Sequence, residues 1–390
     1  MKFSVIGVLS NGARQGKLTN ISRLPGVVLE TPMLLFYTKG GSIPHITREV
    51  LDLLTKEQLG IQITLPSTIQ CFEGAKAFGK GIAEFVGLKE MLTYCSVQDS
   101  ARNTPEGYNS KEQISVWSNT GRVSVNADKY MDVIETFQPD FYQALSNGDT
   151  NSNSSKKKTQ KVMDSSDKLL EKCLERHQSS SALKSVAVFG NIEGGYDIDL
   201  RKLSAQVIAN KPVDGFIING LHNNGPEVEK LDLKKVVPIL KAVLKHLPKE
   251  KPRIIHGCWR PESILEMIDL GIDIFDSSLA YVVTERKSAL IFQYFEIPVE
   301  ECRTESFDEC SAIEINLEDK SYKEDFRPIL EDCTCLSCRK HSRSYIHHLI
   351  MNKELLASTL LMLHNLHHYM LFFNSIRKAA SNGKKLCISY

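Results

Sequence analysis

Eight short apolar, β-branched runs recur along this chain: Thr31–Phe36, Ile61–Leu65, Met91–Tyr94, Phe141–Leu145, Val186–Gly190, Gly215–Gly220, Arg253–Gly257 and Asp273–Ser278. After residue 186, amphipathic stretches separate them at Leu200–Ala209, Leu233–His246 and Pro261–Leu270. Strands that alternate with helices imply parallel pairing through crossover connections. Eight such units predict an α/β fold, a closed (β/α)8 TIM barrel. An open, doubly wound sheet is the rival, because the count of eight depends on which runs are taken as strands.

A chain of 390 residues can hold two or three domains, or one large barrel with an appendage. Its 48 basic and 47 acidic residues leave a net charge of +1, which excludes bulk polycation binding to nucleic acid. No run of 18 apolar residues predicts a transmembrane helix. The apolar start, Phe3–Leu9, reads as a first strand turning at Asn11-Gly12 rather than as a signal peptide. Ten cysteines are too few for a disulfide framework, and three crowd into six residues. That usage suits a reducing, cytosolic compartment.

Two stretches break the alternation. Residues 113–125 carry two alternating runs around Ser118-Asn119-Thr120-Gly121, the pattern of an inserted β-hairpin. Residues 147–167 are polar and low in complexity, and predict a flexible, solvated loop. The expected division is a barrel over 1–300 and a zinc-binding subdomain with C-terminal helices over 301–390. Within the latter, helices are expected at Tyr345–Ile350 and Lys353–Ala380.

Cys333, Cys335 and Cys338 have the spacing C-x-C-x2-C, so one knuckle can offer three thiolates to a metal. The fourth ligand is open among His341, His347, His348, His364, His367 and His368. His364 lies on a mostly apolar helix, where an unpaired imidazole is expensive to bury and a zinc bond relieves that cost. Four protein ligands leave no position for water, so the zinc is expected to be structural, one per chain. Three free thiols beside a core histidine are the plain alternative.

With these residues in view, the sequence resembles the queuine tRNA-ribosyltransferase, or tRNA-guanine transglycosylase, family. The three cysteines followed by His364 in L-M-L-H-N-L match that family's zinc motif. Asn191-Ile192-Glu193-Gly194-Gly195, with Asp199-Leu200-Arg201 and Ser204-Ala205, resembles its Q-G-G…D-L-R…S-A segment. Gly271-Ile272-Asp273-Ile274-Phe275-Asp276 resembles its G-V-D-M-F-D segment, and Thr31-Pro32 its first barrel strand. The resemblance implies a TIM barrel that exchanges the wobble guanine of tRNA for queuine. A carboxylate attacks ribose C1′ and expels guanine, and a second aspartate handles the proton.

The departures from the family pattern concern that chemistry. Asp276 keeps the nucleophile position. Tyr94, in Leu92-Thr93-Tyr94-Cys95-Ser96-Val97-Gln98, stands where the proton-handling aspartate belongs. The base-reading segment has become Asn219-Gly220-Leu221-His222-Asn223-Asn224-Gly225, with Glu227 two residues away from the missing acid. Glu193 replaces a neutral glutamine. Because the resemblance implies a heterodimer of catalytic and homologous non-catalytic subunits, the chain is expected to be the silent partner. It would bind the catalytic subunit and tRNA, with homodimers left open when that partner is absent. Asp276 then serves only as a strand-end hydrogen-bond acceptor. The alternatives are an active transglycosylase using Asp276, with Glu193, and a zinc knuckle that contacts RNA by itself. The apolar surface of the long C-terminal helix is expected to be shared with the partner. The expected compartment is the cytoplasm, with peripheral attachment at the mitochondrial outer membrane left open.

Overall fold

A computed structural model describes residues 1–300 and 312–389. All eight expected runs contain strands: β1 (Met33–Tyr37), β2 (Gly60–Thr64), β3 (Leu92–Ser96), β4 (Phe141–Gln143), β5 (Ala187–Ile192), β6 (Gly215–Ile218), β7 (Arg253–Ile255) and β8 (Ile274–Asp276). They form one closed parallel barrel, in which β8 returns to pair with β1, Asp276 opposite Leu35. Closure rules out the open sheet. The runs read as continuously apolar because each strand is covered on both faces. Met33 and Leu35 face an inner cluster with Leu92, Phe141, Phe189, Ile217, Ile254 and Ile274. Leu34 and Phe36, between them in sequence, join the outer cluster beneath the helices.

An antiparallel sheet of Lys2–Val8, Arg14–Thr19 and Leu29–Thr31 closes the N-terminal end of the barrel. Leu18, Ile21, Leu24 and Leu29 continue the inner cluster. Arg14 locks the plug by a buried two-pronged bond to Asp273, both contacts 3.0 Å, just before β8. The open end is therefore the C-terminal mouth, where barrels of this kind place their chemistry. Gln113–Ser118 and Gly121–Asn126 pair as a hairpin after β3.

The stretch 147–167 departs from the expected loop. From Lys156 onward it is helix α1 (Lys156–Ser179), with Ser155 as N-cap accepting the Lys158 N–H. Polar composition hid its buried face, which contains Thr159, Ser165 and Ser166 as well as Val162, Met163, Leu169 and Leu170. These hydroxyls are satisfied by backbone: Ser166 Oγ accepts the Asn147 N–H at 3.0 Å, and Ser165 donates to the Lys111 carbonyl at 2.9 Å.

Beyond β8 come α2 (Ser278–Glu285), α3 (Leu336–Lys340), α4 (Arg343–Met351) and α5 (Leu355–Ser381). The boundary expected between residues 300 and 301 adjoins 301–311, which lie outside the described residues. α5 is apolar over most of its circumference because its own chain surrounds it. Leu360, Leu361, Met362, Leu363, Leu366, Tyr369, Phe372 and Phe373 are each at most 2% exposed, and Met370 is 7% exposed. This corrects the expectation that those residues are shared with a partner. Asn365 pins the helix to α2 and the segment after it: its Oδ1 accepts the Leu290 N–H at 2.8 Å, and its amide donates to Thr284 Oγ1 and the Ser288 carbonyl.

Candidate metal centre and barrel-mouth site

Cys335 caps α3, its sulfur accepting the Cys338 N–H at 3.3 Å. That turn gathers the three sulfurs around one imidazole. Sγ of Cys333 and of Cys335 each lie 3.7 Å from His364 Nδ1, and Sγ of Cys338 lies 3.3 Å away. All four donor atoms fall within 4.8 Å of one another. A tetrahedral ion with Zn–S near 2.3 Å and Zn–N near 2.0 Å sets its ligands roughly 3.5–3.8 Å apart, so the set fits a metal ion. The fully buried His364 donates Nε2–H to the Leu290 carbonyl at 2.8 Å. That bond fixes the tautomer and leaves Nδ1 bare toward the sulfurs.

The other histidines have different partners. His341 stacks on Tyr345, His347 bonds the Leu317 carbonyl, and His348 meets Asn352. His367 reaches Thr334, and His368 donates to the Phe292 carbonyl. Among the described residues, only His364 joins the three cysteines.

At the barrel mouth, polar side chains occupy inward positions two residues beyond inward apolar ones: Gln143 after Phe141, Asn191 after Phe189, His256 after Ile254, Asp276 after Ile274. Tyr94 turns inward from β3. Its ring stacks on Phe141 at 4.6 Å and on His256 at 5.5 Å, and its Oη lies 2.9 Å from His256 Nε2. Burial holds the phenol well above its usual pKa and pushes His256 down to about 3. Both are neutral near pH 7, and neither is a ready base.

Asp276 is 2% exposed. Its Oδ2 accepts the Gly257 N–H at 3.0 Å and its Oδ1 the Ser278 N–H at 2.9 Å. Burial pushes its carboxyl up to about 6, although these bonds pull it down.

Glu193 follows β5. Its Oε1 accepts from the Ser146 hydroxyl and from Asn219 Nδ2, the latter at 3.0 Å. Its Oε2 is buried without a hydrogen-bond partner among the described residues, and burial raises the pKa. The resembling segment around it is a structural lock. Ser204 Oγ accepts the Glu193 N–H, and buried Arg201 donates to the carbonyls of Gly195 and Ile192. Gly194 sits at φ +123, where a Cβ would meet Arg201 N at 2.7 Å.

The altered base-reading segment is held the same way. His222 accepts the Asn224 N–H on Nδ1 and donates Nε2–H to the His256 carbonyl. Glu227 does not replace the missing acid: it is exposed and paired with Lys230 at 2.9 Å. The space left among Gln143, Ser146, Asn219, His222 and His256 is about 30 Å³. That holds little more than a water, whereas ligand pockets run to roughly 300–1,000 Å³. The Gln143–Asn191 pair, 2.6 Å apart, was missed in the sequence. Its signal was available in the inward register of two strands.

Residues 10–386 match the family model described as Queuine tRNA-ribosyltransferase (TGT). A queuine tRNA-ribosyltransferase accessory subunit 2 from Ixodes scapularis is 40% identical, over 97% of each chain. Proteins of the same name from Xenopus tropicalis and Drosophila virilis are 37% and 38% identical, over 98% and 97% of this chain and 97% and 88% of theirs. The match spans the barrel, its mouth and the cysteine–histidine cluster together, and the chain belongs to the queuine tRNA-ribosyltransferase family.

Proposed function

We propose that this chain is a non-catalytic accessory subunit of a queuine tRNA-ribosyltransferase. It supports exchange of guanine for queuine at the wobble position by pairing with a catalytic subunit and helping to hold tRNA. The observation that carries this reading is the filled mouth: Tyr94 bonded to His256, with about 30 Å³ left beside them. Asp276, buried and committed to two backbone donors, acts as a structural acceptor. The names of the relatives point the same way.

Cys333, Cys335, Cys338 and His364 hold one structural zinc ion. The ion contributes folding free energy and closes its own coordination shell. It staples the knuckle to α5, which is bonded to the segment after α2 through Asn365 and His368.

The contact with the catalytic subunit uses apolar side chains that the subdomain leaves exposed: Leu336, Tyr345, Met351, Leu355 and Leu356, between 38% and 85% exposed. They lie on α3, α4 and the first turn of α5.

Among the described residues no helix is long and apolar enough to cross a membrane. Cys71, Cys95, Cys173 and Cys258 are free thiols, which suits the cytoplasm. The test is a base-exchange assay with this chain alone, the catalytic subunit alone, and both. No exchange is expected from this chain alone, and exchange is expected from the pair. Turnover by this chain alone would refute the reading.

A further inference from the structure

A run of hydrogen bonds links the cysteine–histidine cluster to the barrel mouth. It begins at Leu290, whose carbonyl accepts from His364 and whose N–H donates to Asn365, both at 2.8 Å. Leu290 ends a short strand, Ser288–Leu290, which pairs antiparallel with Glu314–Asn316, Leu290 opposite Glu314. The Glu314 carboxylate accepts Nε–H of Arg286 at 3.1 Å, and Nη2–H as well. The other edge of that guanidinium holds both oxygens of Glu229, at 2.9 and 3.0 Å. Glu229 lies in the turn Pro226–Lys230, directly after the altered segment Asn219–Gly225. Val228 of that turn and His222 both pack against Gly257, where a Cβ would meet them at 3.0 and 3.2 Å.

Arg286 sits at the joint between barrel and subdomain. It is the C-terminal cap of α2, and the chain then turns at Lys287, φ +62, into the strand. The side chains of Glu229 and Glu314 are only 11% and 22% exposed, so their charges are poorly screened. Both accept from the same nitrogen, Nη2. With the guanidinium in place each carboxylate is paired; without it the two repel across a short gap. The mouth segment has no strand of its own, and Gly220, Asn224 and Gly225 turn it at φ +70, +60 and +77. A segment of this kind depends on side-chain anchors for its order.

We propose that Arg286 is a positioning residue that makes the order of the mouth segment 219–231 depend on the state of the cysteine–histidine subdomain. A filled ligand set, which rests on the zinc role proposed above, keeps Leu290 and Glu314 in register and the clasp shut. Opening the set shifts Glu314, and the segment carrying Glu229 loosens with it.

The experiment follows hydrogen exchange in the full chain, before and after metal removal with EDTA, in wild type, Arg286→Ala and Glu314→Gln. Circular dichroism checks that the variants fold. In wild type, exchange at 226–231 should rise roughly tenfold on metal removal, the scale of a lost charge-assisted hydrogen bond. In Arg286→Ala it should be fast with metal and no faster without it, while 288–290 still responds. A merely structural arginine would leave the response to metal in place. A response at 333–340 with none at 226–231, or one at 226–231 undiminished in Arg286→Ala, overturns the proposal. If EDTA changes nothing at 333–340, the zinc reading fails, and Glu314→Gln decides alone. Its side chain is on the subdomain side of the clasp, so faster exchange at 226–231 in that variant supports the coupling, and unchanged exchange overturns it.

Discussion

Tyr94 Oη stands 2.9 Å from His256 Nε2, joining β3 to the end of β7 across 162 positions of sequence. The pair fills the barrel mouth, with Phe141 stacked on the phenol and Gly257, the residue after His256, donating its N–H to the Asp276 carboxylate. A carboxylate at position 94 would meet a ring stack and a neutral imidazole here. The tyrosine is thus part of a packed layer, not an idle replacement in an otherwise open pocket.

Tyr94→Asp is therefore expected to destabilise the chain by about 3–5 kcal/mol, the scale of losing a buried aromatic and burying a carboxylate. It should not create exchange activity. Urea unfolding and the exchange assay check both parts. An unchanged unfolding midpoint would show that the layer does not depend on the ring.

Zinc should be present at one ion per chain. In Cys335→Ser and His364→Ala it should fall to a small fraction by elemental analysis. Because metal binding is coupled to folding, its loss should raise hydrogen exchange in α3, α4 and the first half of α5, and leave β1–β8 largely protected. Full zinc retention in the combined Cys335→Ser/His364→Ala variant would mean that the ligands are misassigned.

The eight strands were legible because a barrel strand buried on both faces must be apolar throughout, as Val186–Gly190 is. The cysteine–histidine cluster that could hold a metal was legible because three thiolates in six residues have few other uses. α1 was not, because hydrogen-bonded hydroxyls at Ser165 and Ser166 face the interior, and composition cannot distinguish satisfied serines from solvated ones. The cover over α5 was not legible either. An apolar circumference at Leu360–Phe373 tells that the helix is surrounded, not by which chain. The room left at the mouth depends on Tyr94 meeting His256, a contact between distant segments that no local pattern encodes.

Asp276 carries a pH signature. Its ordinary pKa of 3.8 is pushed up to about 6 by burial. Between about pH 4 and 6 the folded chain keeps a proton that the unfolded chain has released. Its contribution to stability is full below about pH 4 and is lost as pH rises through about 6, amounting to roughly 3 kcal/mol. Asp273 and Asp269 shift the same way, so a difference measurement is needed. The stability of wild type relative to Asp276→Asn should fall across that window in denaturant titrations, and parallel curves would contradict the assignment. The assembled complex carrying this variant should keep its exchange activity. Loss of exchange in an intact complex would make Asp276 a working nucleophile.

The partner contact can be tested without disturbing the fold. Leu355 is 85% exposed and Met351 54%, so Met351→Glu/Leu355→Arg removes little packing from the isolated chain. The double variant should unfold within about 0.5 kcal/mol of wild type, as surface substitutions do. Its affinity for the catalytic subunit should drop by at least roughly tenfold, since charges introduced into a desolvated apolar contact are left unpaired. Substitutions in the buried face of α5, such as Leu366→Ala, should instead cost about 2–5 kcal/mol of folding stability before any effect on pairing. Co-purification gives the affinities, and hydrogen exchange locates the contact through added protection at the start of α5 and along α4. If the double variant pairs with undiminished affinity, the catalytic subunit docks on another surface, even though the heterodimer itself forms.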